Sequence, residues 1–312
     1  MPLRLICGLD DEGRRLDRIL RKALPDMPLS ALHRLLRKGK ITLDDKKALP
    51  ESRVKAGQII EIQSRLLSQA DYGSNITPQF QNGLSASSLT RMNIIYEGSG
   101  ILILNKPAGI AVHGPKSLAQ EVYAYLAPKL PPSLSFKPGP LHRLDKPTSG
   151  LIMFSTSLEG ARFFSAMHKN RRIIKKYLAI VDGIIKRDEV WEDCLVEDKK
   201  SITRIKVQRT SGSHTLILAE IEAGKKHQIR SQASLHGHPL SGDKKYKGSC
   251  LGFNGFFLHA WKLELCDPAL CDQAKTLKDL PKEFKAPLPV CFEKKINELF
   301  GEAFSKEITQ RR

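Results

Sequence analysis

A polar stretch from Ser64 to Thr90 cuts the chain into two pieces, each expected to build a core of its own. The stretch is rich in Ser, Gln, Asn and Gly, and Arg65 and Asp71 are its only charges. With 312 residues to distribute, the expected division is a small domain over 1–63, a linker over 64–91, a larger domain over 92–296 and a polar tail over 297–312. A linker of this length lets one domain hold a partner while the other searches it.

Residues 14–63 have the pattern of a compact unit. Leu16, Ile19, Leu20 and Leu24 recur at helical spacing, and after the break at Pro25 and Pro28 so do Leu29, Leu32, Leu35 and Leu36. Two short helices are expected. Gly39 closes the second, 41–43 and 59–62 read as short strands, and Gly57 sits in the turn before the latter. Between Arg14 and Lys40 nine Lys or Arg residues stand against Asp17 and Asp26. A solvated charged face has this composition too, but concentration on one helix pair favours binding of a polyanion.

Beyond the break, apolar segments at 101–105, 151–156, 177–183, 214–223 and 257–265 read as strands, and helices are expected near 117–126, 158–169 and 226–236. The larger domain is therefore α+β and mostly sheet. No apolar run approaches the ~20 residues that span a bilayer, and the start, MPLRLICGLDDEGRRLD, has no sustained apolar region of a secretory signal. A cytoplasmic protein with no membrane partner is expected. The six cysteines, at 7, 194, 250, 266, 271 and 291, never form a Cys-x-x-Cys pair, so neither a metal site nor a disulfide framework is expected. What stands out is charge: 51 Lys plus Arg against 33 Asp plus Glu, a net +18. A polyanionic partner follows, with nucleic acid ahead of an anionic membrane because no basic amphipathic anchor or lipidation signal is evident.

Three segments could carry chemistry. In GPLHRLDKPTSGL (139–151) two glycines and two prolines bracket His142, Arg143, Asp145, Lys146, Thr148 and Ser149, so the backbone must turn sharply just before a buried strand. Read locally, Asp145 with Thr148 and Ser149 is also what a capped turn looks like. In KKHQIRSQASLHGHPLSGD (225–243) a helix starting near Lys226 would align Lys226, Arg230 and Ser234 on one face with His227 beside them. A solvated helix would read the same way. In RRIIKKYLAIVDG (171–183) a basic run leads into an apolar strand at Tyr177, which is equally a core position.

Taken together, these segments are similar to the motifs of the RluA-type pseudouridine synthases. HRLDKPTSGL resembles H-R-L-D-x-x-T-S-G, and four further blocks follow in the family's order. They are MNIIYEGSGILILNKPAGIAVHG at 92–114, KKYLAIVDG, EAGKKHQIRSQASLHGHPLSGDKKYKG and LHAWKLEL. Upstream, RRLDRIL, LLRKGKI and VKAGQII resemble the small RNA-binding domain shared with ribosomal protein S-four, with Gln58 where an acidic residue is usual. The resemblance implies a pseudouridine synthase fold, a mainly antiparallel mixed sheet, with a small N-terminal α/β RNA-binding domain. It implies Asp145 as the catalytic aspartate, Tyr177 against the target base, Arg230 as the partner of the aspartate, and Arg143 entering the space left by a flipped nucleotide. His142, Thr148, Lys106, His227 and Gln228 are implied beside the substrate. The sequence departs from the family pattern at Ala223, Lys225 and Pro147, which touches substrate contacts more than chemistry.

The implied reaction breaks the bond from ribose to uracil N1 and rejoins the sugar at C5. It oxidises nothing, so no cofactor and no metal is expected. One ionised carboxylate near the sugar is adequate, and a guanidinium within about 4 to 6 Å keeps it ionised by lowering its pKa roughly 1 to 3 pH units. Arginine suits that place because it stays charged when desolvated. The implied partner is structured RNA, ribosomal RNA ahead of tRNA, bound by a monomer. A non-catalytic RNA-binding or ribosome-assembly factor is the competing reading. A metal-dependent nuclease is disfavoured by the lack of clustered carboxylates around Asp145.

Overall fold

The structure, a computed structural model, describes residues 2–63, 94–196, 199–251, 255–266 and 280–302. The expected linker at 64–91 and most of the expected tail lie outside the described residues. The described chain groups into two compact units. One takes in residues 2–63, 123–138 and 156–159, and the other 94–122, 139–155 and the chain from 160 on.

In the first unit, strand β1 (Leu3–Ile6) precedes helices α1 (Leu16–Ala23) and α2 (Leu29–Arg37), followed by β2 (Ile41–Leu43), β3 (Lys46–Lys47) and β4 (Ile59–Ile62). The strands pair antiparallel in the order β1-β4-β2-β3. Helices of 8 and 9 residues are too short to persist alone. They are held by their apolar faces: Leu16, Ile19, Leu20, Leu32 and Leu36 are completely buried against Ile41, Ile60 and Ile62, about 1.5–3 kcal/mol for each such side chain. Gly39, at φ +66°, ends α2, and Lys40 N–H returns to the Leu35 carbonyl at 2.9 Å. Arg18, Arg21, Lys22, Arg34, Arg37, Lys38 and Lys40 are left exposed. Gln58 keeps its turn closed: its Oε1 accepts from Lys55 N–H at 2.7 Å and its Nε2 donates to Asp44 at 2.8 Å. Residues 133–135 belong to this unit through Asp11, a fully buried carboxylate that accepts from Gly8 N–H, Leu134 N–H, Ser135 N–H and the hydroxyls of Ser133 and Ser135.

The remaining elements are β5 (Ile94–Gly98), β6 (Ile101–Lys106), α3 (Leu118–Leu126), β7 (Gly139–Pro140), β8 (Ser149–Ser155), α4 (Leu158–Lys169), β9 (Ile173–Asp182), β10 (Glu189–Val196), β11 (Lys199–Ser211), β12 (His214–Ile221), α5 (Gln228–Leu235), β13 (Leu258–Leu265), β14 (Glu283–Lys285) and α6 (Val290–Phe300). Ten strands form one sheet along the path β10-β11-β12-β9-β13-β8-β6-β5, with β14 on β13 and β7 on β8. Among the described strands the one parallel pair is β13 with β8, and the other pairs are antiparallel. This is the mixed, mainly antiparallel α+β architecture expected. Strand β8 is buried along its whole length, because Leu151 and Met153 pack in the cluster with Phe163, Phe164 and Met167 of α4 while alternate residues point to the other face. A second cluster joins Leu178, Ile180 and Leu216 to Phe292, Ile296 and Phe300 of α6. Helix α6 thus carries packed chain to Phe300, past residue 297, where the tail was expected to begin. Among the described residues no helix is long and apolar enough to cross a membrane.

The parallel pairing places the start of β8 at the middle of the sheet. His259 lies opposite Ser149 and Ala260 opposite Gly150. A Cβ on Gly150 would sit 2.3 Å from the Ala260 carbonyl oxygen, and the residue is at φ +107°, so only glycine lets the strands meet here. The charged loop that precedes β8 is delivered by this crossing.

Candidate active site

The loop before β8 is clamped from three sides. Leu141 N–H donates to Met153 at 2.8 Å, Thr148 N–H closes a turn on the Asp145 carbonyl at 3.0 Å, and Gly109 N–H donates to the Lys146 carbonyl at 2.8 Å. Lys106 lies beneath it, fully buried, and its ammonium donates to the carbonyls of Pro107, Ile110 and Lys146 at 2.9, 3.0 and 3.2 Å. Burial pushes its pKa down to about 8, against the pull of the Asp145 charge. At the other end the Ser149 hydroxyl meets His259 Nδ1 at 2.8 Å. Burial drives the His259 pKa to about 4, so the neutral ring accepts from Ser149.

This clamping presents the Asp145 carboxylate, 15% exposed, to a pocket. Helix α5 supplies its partner. Arg230 Nη1 donates to Asp145 Oδ2 at 2.7 Å, while Nε and Nη2 of the same guanidinium donate to Asp243 at 2.7 and 3.0 Å. The Asp243 side chain is 2% exposed, and the guanidinium also lies 4.3 Å from the Phe256 ring and 5.2 Å from the Tyr246 ring. Burial works against the charge of Arg230, but the hydrogen bonds to Asp243 and Asp145 outweigh it and hold its pKa above the ordinary value. Arg230 is therefore a fixed cation shared by two carboxylates. Asp145 Oδ1 has a looser neighbour, His227 Nε2 at 3.7 Å. His227 Nδ1 is 3.2 Å from the Tyr246 hydroxyl, which sets the ring's direction. Burial holds the His227 pKa below its ordinary value.

Tyr177 lies on β9 between Ala219 of β12 and Ala260 of β13, and small neighbours on both sides leave its ring a wall of the pocket. Burial, then the Asp145 charge, raises the pKa of its hydroxyl. The pocket also meets His142, Arg143, Leu144, Thr148, His168 and Lys175. Its volume is about 170 Å³, below the ~300–1,000 Å³ of sites for drug-sized ligands. It suits a single base-sized group.

Most of the residues expected here do converge. Asp145, Arg230, Tyr177, Arg143, His142, Thr148, His227 and Gln228 line one pocket. Their freedom differs. Arg143 is exposed at the rim. His142 accepts from Met153 N–H at 3.1 Å through Nε2 and stacks near Phe164; burial holds its pKa near 3, so the ring is neutral with its proton on Nδ1. Gln228 spends its amide on Ile202, Thr203 and Lys225, and Lys106 is outside the lining altogether. Both prop the site from behind. Helix α5 begins at Gln228, not near Lys226, because His227 takes a left-handed conformation at φ +57°. Lys226 consequently lies in the preceding turn, off the helical face of Arg230. Asp243, Tyr246, His168 and Lys175 were not singled out from the sequence. Among the described residues, no three His, Cys, Asp or Glu side chains gather to hold a metal ion.

The profile of a family described as RNA pseudouridylate synthase matches residues 100–235. Ribosomal large subunit pseudouridine synthase C of Vibrio vulnificus is 29% identical over 316 residues, covering 94% of this chain and 96% of its own. The protein of the same name from Escherichia coli K12 is 29% identical over 284 residues, covering 83% and 87%. Among solved structures, human RNA pseudouridylate synthase domain containing 4 superposes with a TM-score of 0.55 at 22% identity, covering 69% of this chain and 95% of that one. Human RNA pseudouridylate synthase domain containing 1 gives 0.50 at 22% identity, covering 67% and 87%, and both indicate the same fold. A carboxylate on a base-sized pocket, held by a buried arginine and carried on this sheet, agrees with those likenesses: residues 100–235 match the RNA pseudouridylate synthase family, and most of the chain is similar to ribosomal large subunit pseudouridine synthases C.

Proposed function

We propose that this chain isomerises specific uridines of large-subunit ribosomal RNA, with Asp145 as the catalytic carboxylate. The observation that carries the reading is the half of Asp145 that remains available: Oδ2 is committed to Arg230 at 2.7 Å, while among the described residues Oδ1 has only His227, at 3.7 Å. The fixed guanidinium holds the carboxylate in place by a 2.7 Å hydrogen bond to Oδ2, so Oδ1 can act on the ribose as nucleophile or base. In the balanced reaction the bond from C1′ to N1 breaks, a bond from C1′ to C5 forms, C5 loses its proton and N1 gains one. Water must be excluded while the base is free, which suits a pocket lined by Tyr177, Leu144 and Leu258. The target uridine leaves its helix or loop at a cost of a few kcal/mol. Tyr177 offers the flipped base an aromatic face, and Arg143, exposed at the rim, is placed to fill the vacancy.

The choice of ribosomal RNA rests on the relatives named for the large subunit, and on an N-terminal module whose exposed cations face no equal number of acids. In this reading the module grips phosphates without regard to sequence, the larger unit does the chemistry, and the protein works as a cytoplasmic monomer. Mapping pseudouridine in total RNA from cells with and without the protein tests the assignment. Sites lost from large-subunit RNA are expected. Loss from tRNA alone would move the substrate, and an unchanged map would favour a non-catalytic RNA-binding role.

A further inference from the structure

Strand β9 carries three consecutive residues with different fates. Lys176 points away from the pocket and is paired with Glu264 at 2.8 Å and Glu220 at 3.7 Å. Tyr177 faces the pocket, and so does Lys175, two residues earlier on the same face of the strand. Lys175 is only 5% exposed, yet among the described residues no carboxylate, carbonyl or hydroxyl pairs with its ammonium. Lys106 shows how this fold treats a buried lysine that serves structure alone: three carbonyls surround it. Burying an ammonium without such partners is costly, and folds avoid it unless the group has other work.

The surroundings keep the charge unopposed. Burial, and after it the charge of Lys175, lowers the pKa of both His142 and His168. Gly224 leaves it room, since a Cβ there would stand 3.1 Å from Nζ. Asp145 is held by Arg230 at 2.7 Å and acts on Tyr177, His227 and Tyr246. One pocket therefore has a carboxylate held by Arg230 and a buried cation that no partner holds among the described residues.

We propose that Lys175 is a second catalytic residue, which binds the carbonyl edge of the flipped uracil and holds the negative charge that the base acquires when it parts from the sugar. The proposal rests on the isomerase reading above. When the C1′–N1 bond breaks, its electron pair stays with the base, and the charge spreads over N1 and the two carbonyl oxygens. A carboxylate alone offers that anion no attraction. The ammonium retains it until C5 bonds to C1′; the C5 proton is then lost, N1 is protonated, and the lysine keeps its own proton throughout. A preorganised donor aimed at developing charge in a site without water is worth about 10²–10³ in rate.

The test is Lys175→Met, close to isosteric, assayed on in vitro transcribed large-subunit ribosomal RNA carrying 5-tritiated uridine. Single-turnover tritium release is expected to fall at least about 100-fold, affinity for the RNA to stay within about twofold, and the unfolding temperature to rise because an unpaired buried charge is gone. Lys175→Cys, alkylated with bromoethylamine to restore an ammonium, is expected to recover rate beyond an equally treated wild type. An unchanged rate in Lys175→Met would overturn the proposal. So would a rate loss accompanied by a lower unfolding temperature, or a cysteine variant that alkylation leaves inactive. An inert wild-type protein would overturn the isomerase reading itself, whereas active wild type beside equally active Lys175→Met overturns only the role of the lysine.

Discussion

Asp243→Asn removes a charge from the back of Arg230 while keeping the shape of the side chain. Asp243 accepts two hydrogen bonds from the guanidinium, at 2.7 and 3.0 Å, and a third from Lys245 N–H at 3.2 Å, with 2% of its side chain exposed. An asparagine can accept at one oxygen only and must turn an N–H₂ toward Nε or Nη2. Hydrogen bonds to charged groups contribute about 1.5–3 kcal/mol each, and breaking a buried ion pair outright costs about 3–5 kcal/mol. Asp145 still pairs with Nη1, so a loss of about 2–4 kcal/mol is expected, between those limits. For a unit of this size that is a fall of roughly 4–16 °C in unfolding temperature, at about 2–4 °C per kcal/mol. Turnover should fall too, because a guanidinium released from Asp243 is free to chelate both oxygens of Asp145 and occupy Oδ1. Differential scanning calorimetry and single-turnover tritium release on the same preparation read the two effects. Wild-type stability together with wild-type turnover would refute the claim that Asp243 anchors the arginine.

Two further outcomes follow from charges elsewhere. His142 and His259 are held neutral by burial, with pKa values near 3 and 4 against 6.5, so the unfolded chain binds more protons below pH 6.5. Stability should therefore fall as pH drops from 6.5 toward 4, by about 1.4 kcal/mol per pH unit for each histidine. His259→Gln should flatten that slope in a series of thermal melts, and an unaltered slope would contradict it. Neutralising Arg18, Arg21 and Arg37 on the first unit should weaken RNA binding alike for all sequences and reduce the salt dependence by up to about 0.7–0.9 for each phosphate that the variant no longer neutralises. Titrations between 50 and 200 mM salt with an unaltered slope would remove these helices from the interface. Neutralisation is cleaner than deleting residues 1–63, because 133–135 depend on Asp11 for their hydrogen bonds.

Much of this was legible where one residue type has one structural use. The periodic Leu and Ile residues of α1 and α2, the strands at 101–106, 214–221 and 258–265, and helix α4 follow from local spacing. The pairing of Asp145 with Arg230, 85 positions apart, was available only through motif resemblance, since nothing local brings them together. Asp243 escaped notice because its partner lies 13 residues away across a turn. Lys175 was hidden in a basic run: composition cannot tell it from Lys176, and only the alternation of a strand sends one into the pocket and the other to Glu264. Lys106 and Gln228 sit in motifs that implied substrate contact, yet the folded chain uses their donors itself, those of Lys106 for three carbonyls and those of Gln228 for the Ile202 carbonyl and the Thr203 hydroxyl. The hairpin of β10 and β11 was missed because Val190 and Ile202 are exposed while Trp191 and Thr203 are buried, so its apolar residues do not alternate cleanly.

The proposed chemistry centres on one carboxylate, that of Asp145. The most direct measurement is single-turnover conversion of uridine to pseudouridine by Asp145→Asn, made beside the affinity of that variant for the same RNA. Affinity close to wild type with no detectable conversion is the expected result. Conversion near the wild-type rate by a folded Asp145→Asn protein would contradict it.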